Sequence, residues 1–77
     1  MWRRPMKLFS YHVYDKWTGE ASHGVVAVAN KEKAKEKIKE CYSEEYNIDY
    51  IEVYDLCISI YGKEERMSEI YKSYPEY

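Results

Sequence analysis

The clearest pattern in the chain is an alternation of apolar and polar residues near its start. From Lys7 to Tyr14, the residues Phe9, Tyr11 and Val13 recur at every second position, which is typical of a β-strand with one buried face. The segment 21–29 (ASHGVVAVA) is also apolar and rich in valine, and it predicts a second strand.

The residues between these segments predict a β-hairpin with a fixed register. Lys16 to Gly19 carries turn residues, and a four-residue loop there would pair Asp15 with Glu20. The expected cross-strand partners are Val13 with Ser22, Tyr11 with Gly24, Phe9 with Val26, and Lys7 with Val28. This register collects the apolar side chains on one face, which we interpret as the core. The opposite face, either solvated or a binding surface, carries Leu8, Ser10, His12, Tyr14, His23, Val25 and Ala27.

A helix is predicted to follow the hairpin. Asn30 is a good N-cap, and the segment 31–45 (KEKAKEKIKECYSEE) has apolar residues at helical spacing. Its narrow apolar stripe consists of Ala34, Ile38, Cys41 and Tyr42. Glutamates spaced four apart lie opposite this stripe, so the pattern predicts a surface helix with one buried side.

The second half of the chain predicts one more strand and one more helix. The segment 50–60 (YIEVYDLCISI) is the strongest strand pattern in the chain, interrupted by Asp55. Asp55 marks either a bulge or an edge position where the carboxylate reaches solvent. Gly62 ends the run, and the segment 63–72, with Met67, Ile70 and Tyr71 on one side, predicts a short helix.

These elements predict a two-layer α+β fold in the order β-β-α-β-α. The crossover through the helix places the third strand beside the first, giving a three-stranded antiparallel sheet of order 2-1-3 with one long and one short helix. Residues 1–77 form a single domain, with 1–6 and 73–77 expected to be flexible tails. Met6 is an alternative start, which would make residues 2–5 dispensable.

Charge is distributed unevenly along the chain. Residues 1–39 hold nine Lys/Arg and four Asp/Glu, whereas residues 40–77 hold three Lys/Arg and ten Asp/Glu. The acidic second half also contains eight of the ten tyrosines. The chain has no apolar run of membrane length, and residues 1–6 have no signal-peptide pattern. We therefore expect a cytosolic protein.

The residues that bear chemistry do not form a recognisable catalytic or metal motif. His12 and His23 face each other in the predicted hairpin, with Asp15 or Glu20 as a further oxygen ligand, but a zinc site needs three or four ligands. Cys41 and Cys57 form no C-x-x-C pair, and we interpret them as reduced. The sequence thus predicts no enzyme, no catalytic residue, no cofactor and no metal.

The remaining features favour contact with a protein. Trp17 at the hairpin tip is hard to bury within the domain, and exposed tryptophan and tyrosine are common interface anchors. The expected contact residues are Trp17, Tyr14, Glu52, Asp55, Glu64, Glu65, Tyr71 and Tyr74. Three alternatives remain: a homodimer or other self-association through free strand edges, an acidic half that imitates a nucleic acid, and direct nucleic-acid binding. The net charge of −2 argues against nucleic acid.

The stretch from Tyr11 to Leu56, with a hairpin running into VVAVANKEKAKEKIKE and then a returning strand, resembles small accessory proteins of phages and mobile elements, loosely the DpnD/PcfM-like group. The resemblance implies a phage or plasmid origin and a cytosolic inhibitor of a host defence nuclease or complex, of the anti-CRISPR or anti-restriction type. It carries over no functional residue.

Overall fold

A computed structural model describes residues 4–74. Its elements in chain order are β1 (Arg4–Asp15), β2 (Ala21–Val28), α1 (Lys31–Tyr42), β3 (Ile48–Gly62) and β4 (Arg66–Ser73). The strands form one antiparallel sheet of order β3-β1-β2-β4. The two-layer α+β prediction is confirmed, and so is the neighbour order 2-1-3 within the sheet.

The β1–β2 hairpin has the predicted register. Tyr11 pairs with Gly24 and His12 pairs with His23, as expected from a loop at residues 16–19. Gly19 has a φ of 75°, which suits glycine at the end of the tight turn. Asp15 holds the tip together because its carboxylate accepts the backbone N–H groups of Trp17 at 2.8 Å and Thr18 at 3.1 Å.

The core lies between the sheet and α1. Its buried members are Phe9, Tyr11, Val13, Val26, Val28, Ala34, Ile38, Tyr42, Tyr46 and Val53. Asn30 caps the helix by accepting the N–H of Lys33 at 2.9 Å. The helix ends at Tyr42 rather than at residue 45, and Cys41 is exposed, so its predicted place on the buried stripe is wrong.

A partly buried polar network joins α1 to the sheet. The hydroxyl of Tyr42 lies 2.9 Å from that of Tyr11 and 2.7 Å from that of Ser22. Tyr42 and Ser22 both donate to Oε2 of Glu69 on β4, each at 2.7 Å. One carboxylate therefore accepts hydrogen bonds from a hydroxyl of the helix and from a hydroxyl of β2.

Asp55 marks a bulge in β3, and β3 is also an edge strand. Leu8 pairs with Ile58 while Phe9 pairs with Asp55, so two residues of β3 lie outside the ladder. The Asp55 carboxylate accepts the N–H of Cys57 at 2.7 Å, and Cys57 has a φ of 58°. Both interpretations of Asp55 are thus confirmed at the same position.

The predicted second helix is wrong, because the segment 66–73 is strand β4 paired with β2. Lysine, glutamate and methionine favour a helix there, but the open edge of β2 offers backbone partners to the whole segment. Met67 pairs with Val26 and adds to the core. Within residues 4–74, the sheet therefore has four strands and the fold has one helix.

The predicted tails overlap with the sheet at both ends. Residues 4–6 begin β1 and Ser73 ends β4. Of the proposed dispensable start, residues 4 and 5 pair with β3, whereas residues 2 and 3, like residues 1 and 75–77, lie outside the described residues. Within residues 4–74, no helix has the length and apolarity needed to cross a membrane.

Candidate functional site

The sheet face opposite α1 is left open by the fold. Because side chains alternate along a strand, the buried position of Tyr11 and Val13 turns His12 and Tyr14 to the other side. We call this side the outer face. Its members are half-buried in the centre and more exposed on the edge strands β3 and β4.

Six rings cross the outer face from one edge of the sheet to the other. This aromatic row consists of Tyr50 and Tyr54 on β3, His12 and Tyr14 on β1, His23 on β2 and Tyr71 on β4. Direct register partners bring them together, since Tyr14 pairs with Tyr50 and His23 pairs with Tyr71. The row thus depends on all four strands.

The rings of the aromatic row contact one another in sequence. Tyr14 stacks on Tyr50 with centroids 4.3 Å apart, and His23 stacks on Tyr71 at 4.4 Å. Between them, His12 meets His23 edge-on at 4.3 Å and lies 6.4 Å from Tyr14. Such contacts hold each ring in place, so the surface is ordered before any partner arrives.

The outer tyrosines still expose much of their area. Tyr50 is 48% exposed, Tyr54 49% and Tyr71 54%. Aliphatic side chains continue the apolar surface away from the row, with Leu8 half-buried and Ile58 exposed. A contiguous apolar surface on one sheet face marks an interaction site more often than scattered exposed residues do.

One acidic side chain of β3 lies within the row. Glu52 lies opposite His12 on the outer face and accepts the hydroxyl of Tyr54. This hydrogen bond, with burial and the carboxylate charge adding to it, raises the pKa of Tyr54. Residues 48–62 contain no lysine or arginine, so Glu52 gives this part of the outer face a negative charge.

Two histidines occupy the centre of the row. Burial, together with the neighbouring His12 ring, lowers the pKa of His23. The Nδ1 atoms of the two rings contact each other, and Nε2 of His23 lies 2.8 Å from Oγ of Ser73. Asp15, considered as a further metal ligand, is instead occupied by backbone N–H groups at the hairpin tip, which lower its pKa.

The structure brings together only some of the predicted contact residues. Tyr14, Glu52 and Tyr71 share the outer face. Trp17, 75% exposed at the hairpin tip, and Tyr74, just beyond β4, lie towards the same end of the sheet, since Ser73 pairs with Ala21 beside the turn.

The other predicted contact residues lie elsewhere. Asp55 is in the β3 bulge, away from the row along the edge strand. Glu64 and Glu65 belong to the connection between β3 and β4 rather than to the first turn of a helix, and they lie at the opposite end of the sheet from Trp17.

Sequence reasoning missed Tyr50 and Tyr54 as members of the site. Their spacing around Glu52, every second residue of a strand pattern, is a signal that places all three on one face. The link to Tyr71 could not be found, because it required β4 to be a strand.

No family model, curated protein or solved structure matches this chain. Its function is therefore inferred from its own geometry.

Proposed function

We propose that the protein is a non-catalytic protein-binding module that engages its partner through the outer face. The observation that carries this proposal is the aromatic row, six mutually packed rings on a sheet face that α1 leaves open. Pre-ordered tyrosines supply large contact area at a low entropic cost, which is why they are frequent energetic centres of protein interfaces.

The charge around the row favours a basic protein surface as the partner. Glu52 lies among the rings, opposite His12. An arginine side chain fits this setting because its guanidinium stacks on tyrosine and pairs with a carboxylate. A host nuclease or defence complex has such chemistry, since it holds its nucleic acid against basic residues. Inhibition of that class of protein, in the cytosol, is the biological role that we propose.

Direct binding of nucleic acid is less well supported. Sheets that stack bases on aromatic rings also supply lysine or arginine for the phosphates. Here, Arg66 is at the far end of the outer face, whereas Glu52 is at the centre of the rings. The carboxylate would oppose a phosphate backbone along the row.

Self-association is a second candidate, favoured by the two sheet edges. β3 and β4 each have one neighbour within residues 4–74, so each presents a row of backbone groups suited to a further strand. The bulge at Asp55 and its charge interrupt the β3 edge, which favours β4 as the pairing edge.

The proposed function is tested by capture and titration with matched variants. Immobilised wild-type protein is compared with the Tyr50→Ser, Tyr71→Ser double variant and with Tyr61→Ser, which removes a tyrosine that is 70% exposed but lies outside the row. We expect wild type and Tyr61→Ser to retain the same bacterial protein. The double variant should bind the purified protein more weakly by about 2 kcal/mol or more, the loss typical of an interface hot spot.

The outcome separates the candidate functions. Equal binding by the double variant and the wild type would show that the aromatic row is not the contact surface. Retention of labelled DNA or RNA at low salt, lost steeply as salt rises, would favour nucleic acid instead. Concentration-dependent dimers without any foreign partner would favour self-association.

A further inference from the structure

The two histidines of the chain meet at the centre of the outer face. Asp15 donates its N–H to the carbonyl of Glu20 at 2.8 Å, so the alternation of the antiparallel ladder puts His12 and His23 at a non-hydrogen-bonded pair. Side chains at such pairs are the closest across a sheet. The ring centroids are 4.3 Å apart, and the two Nδ1 atoms face each other in direct contact.

Ser73 holds one of these rings from the other side. Its hydroxyl lies 2.8 Å from Nε2 of His23. When the Nε2 proton is donated to Ser73, the lone pair of Nδ1 points at His12. A histidine that binds a metal through one nitrogen usually donates its other N–H in this way, which fixes the tautomer and the ring orientation.

We propose that His12 and His23 form a two-histidine site for a late first-row transition metal ion, Zn²⁺ or Cu²⁺, bound through the two Nδ1 atoms. Imidazole is a preferred ligand of both ions. Rotation of the two rings would separate the nitrogens so that one ion can lie between them, about 2.0–2.1 Å from each, the distance that zinc requires.

The rest of the coordination shell comes from outside the described chain. Among residues 4–74, no group of three or more His, Cys, Asp and Glu side chains converges on one point. Glu52 is the carboxylate opposite His12, but it accepts the hydroxyl of Tyr54. Water, or a side chain of another molecule on the outer face, completes the shell. Binding of the ion by the two nitrogens does not depend on the proposed partner.

The composition of the chain makes the test unambiguous once the thiols are removed. The chain contains only two histidines and two cysteines, and Cys41 and Cys57 are both exposed. A Cys41→Ser, Cys57→Ser protein therefore serves as the parent, since its imidazole signals come from the proposed site alone. ZnCl₂ and CuSO₄ are titrated calorimetrically into this parent, into His23→Gln and into Ser10→Ala, a control on the same face and strand as His12.

We expect one ion per chain in the parent and in Ser10→Ala, and no measurable binding in His23→Gln. Ser73→Ala should weaken binding by about 10–100-fold, the usual effect of losing the hydrogen bond behind a metal-bound histidine. Affinity should fall as the pH is lowered from neutral towards 5, because the ion competes with protons for the imidazoles.

A spectroscopic readout distinguishes the site from adventitious surface binding. Cu²⁺ should broaden the imidazole NMR signals of His12 and His23 first, at substoichiometric amounts. Circular dichroism must show that His23→Gln is folded. Equal affinity in the parent and folded His23→Gln would overturn the proposal, and so would imidazole signals that respond to pH but not to either ion, since the pair then shares only a proton.

Discussion

The hydroxyl of Tyr42, on the helix, donates to Oε2 of Glu69 on the edge strand β4 at 2.7 Å. Ser22 donates to the same oxygen, and Tyr11 contacts the Tyr42 hydroxyl from β1. Burial raises the pKa of Tyr42, so its hydroxyl remains a donor at every physiological pH. A hydrogen bond to a charged acceptor is among the stronger ones in a protein, and here it fastens the last strand to the helix.

Removal of the Tyr42 hydroxyl tests this link. Tyr42→Phe keeps the buried ring but removes the acceptor of the Tyr11 hydroxyl and one of the two hydroxyl donors to Glu69. We expect the free energy of unfolding to fall by about 1–3 kcal/mol, as for the loss of hydrogen bonds to a buried or charged group. Urea unfolding measures the change. Tyr61→Phe, at an exposed tyrosine, is the matched control and should change stability by less than about 0.5 kcal/mol. An equally small loss of stability in Tyr42→Phe would contradict the role of the network.

Gly24 tests the pairing of β4 with β2. A Cβ at Gly24 would lie 2.2 Å from the backbone oxygen of Ser68 and 2.7 Å from the hydroxyl oxygen of Tyr11. Gly24→Ala should therefore destabilise the fold by about 1–3 kcal/mol or more, the usual effect of overpacking a core.

The control for that substitution is Gly62→Ala. Its Cβ would approach only the flexible end of Met6, at 2.7 Å, so a small movement of that side chain relieves the contact. We expect a lower midpoint of thermal unfolding for Gly24→Ala than for Gly62→Ala. Equal midpoints would indicate that Ser68 does not lie against Gly24 and that β4 is not in this register.

The hairpin and the first helix could be predicted because their signals are local. The alternation around Tyr11, a turn ending in Gly19 and the cap at Asn30 each act over a few residues, and the structure confirms all three. The segment that became β4 has no such local determinant. Its helix-favouring residues are overridden by a distant edge and by the hydroxyl groups that bind Glu69.

In the candidate site too, only the locally determined parts could be predicted from the sequence. The facing histidines and Tyr14 follow from the hairpin register, and they lie where the sequence placed them. Tyr71 contacts His23 only because β4 pairs with β2, so a long-range pairing decides its position. Local sequence patterns do not predict contacts between side chains that are brought together only by the pairing of distant segments.

Stability should fall in two steps as the pH is lowered. Burial, with His12 beside it, lowers the pKa of His23 below 6.5, so below that pH the unfolded chain takes up a proton more readily and the fold loses stability. The hydrogen bonds from Tyr42, and then those from Ser22, lower the pKa of Glu69 below 4.5. Its contribution is complete above that pH and is lost as the pH falls through the lowered value.

Substitution separates the two steps. Urea midpoints measured from pH 8 to pH 3 should show a shallower decline near pH 6 for His23→Gln and a shallower decline below pH 4.5 for Glu69→Gln. His23→Gln should leave the decline below pH 4.5 unchanged, and Glu69→Gln should leave the decline near pH 6 unchanged. A wild-type profile that is flat between pH 8 and pH 5 would contradict the prediction for His23.

Substitutions of Asp15 and Trp17, both at the hairpin tip, should differ in their effect on stability. Asp15→Ala removes the acceptor of three backbone N–H groups, those of Trp17, Thr18 and Asn47, and should cost about 1–3 kcal/mol of stability. Trp17→Ala removes a side chain that is 75% exposed, and stability should change by less than about 0.5 kcal/mol. Both are measured by urea unfolding. If Trp17 is an anchor, its substitution should weaken partner binding without this loss, and a large loss of stability would instead make Trp17 structural.

The sheet order has a consequence for how the chain matures on the ribosome. Among the strands within residues 4–74, β4 is synthesised last, yet it covers the edge of β2, which is synthesised early. A chain without β4 would leave the β2 edge without a strand partner and the Ser22 and Tyr42 hydroxyls without the Glu69 carboxylate. Translational stalling or proteolytic clipping between residues 62 and 66 would therefore move the open sheet edge from β4 to β2.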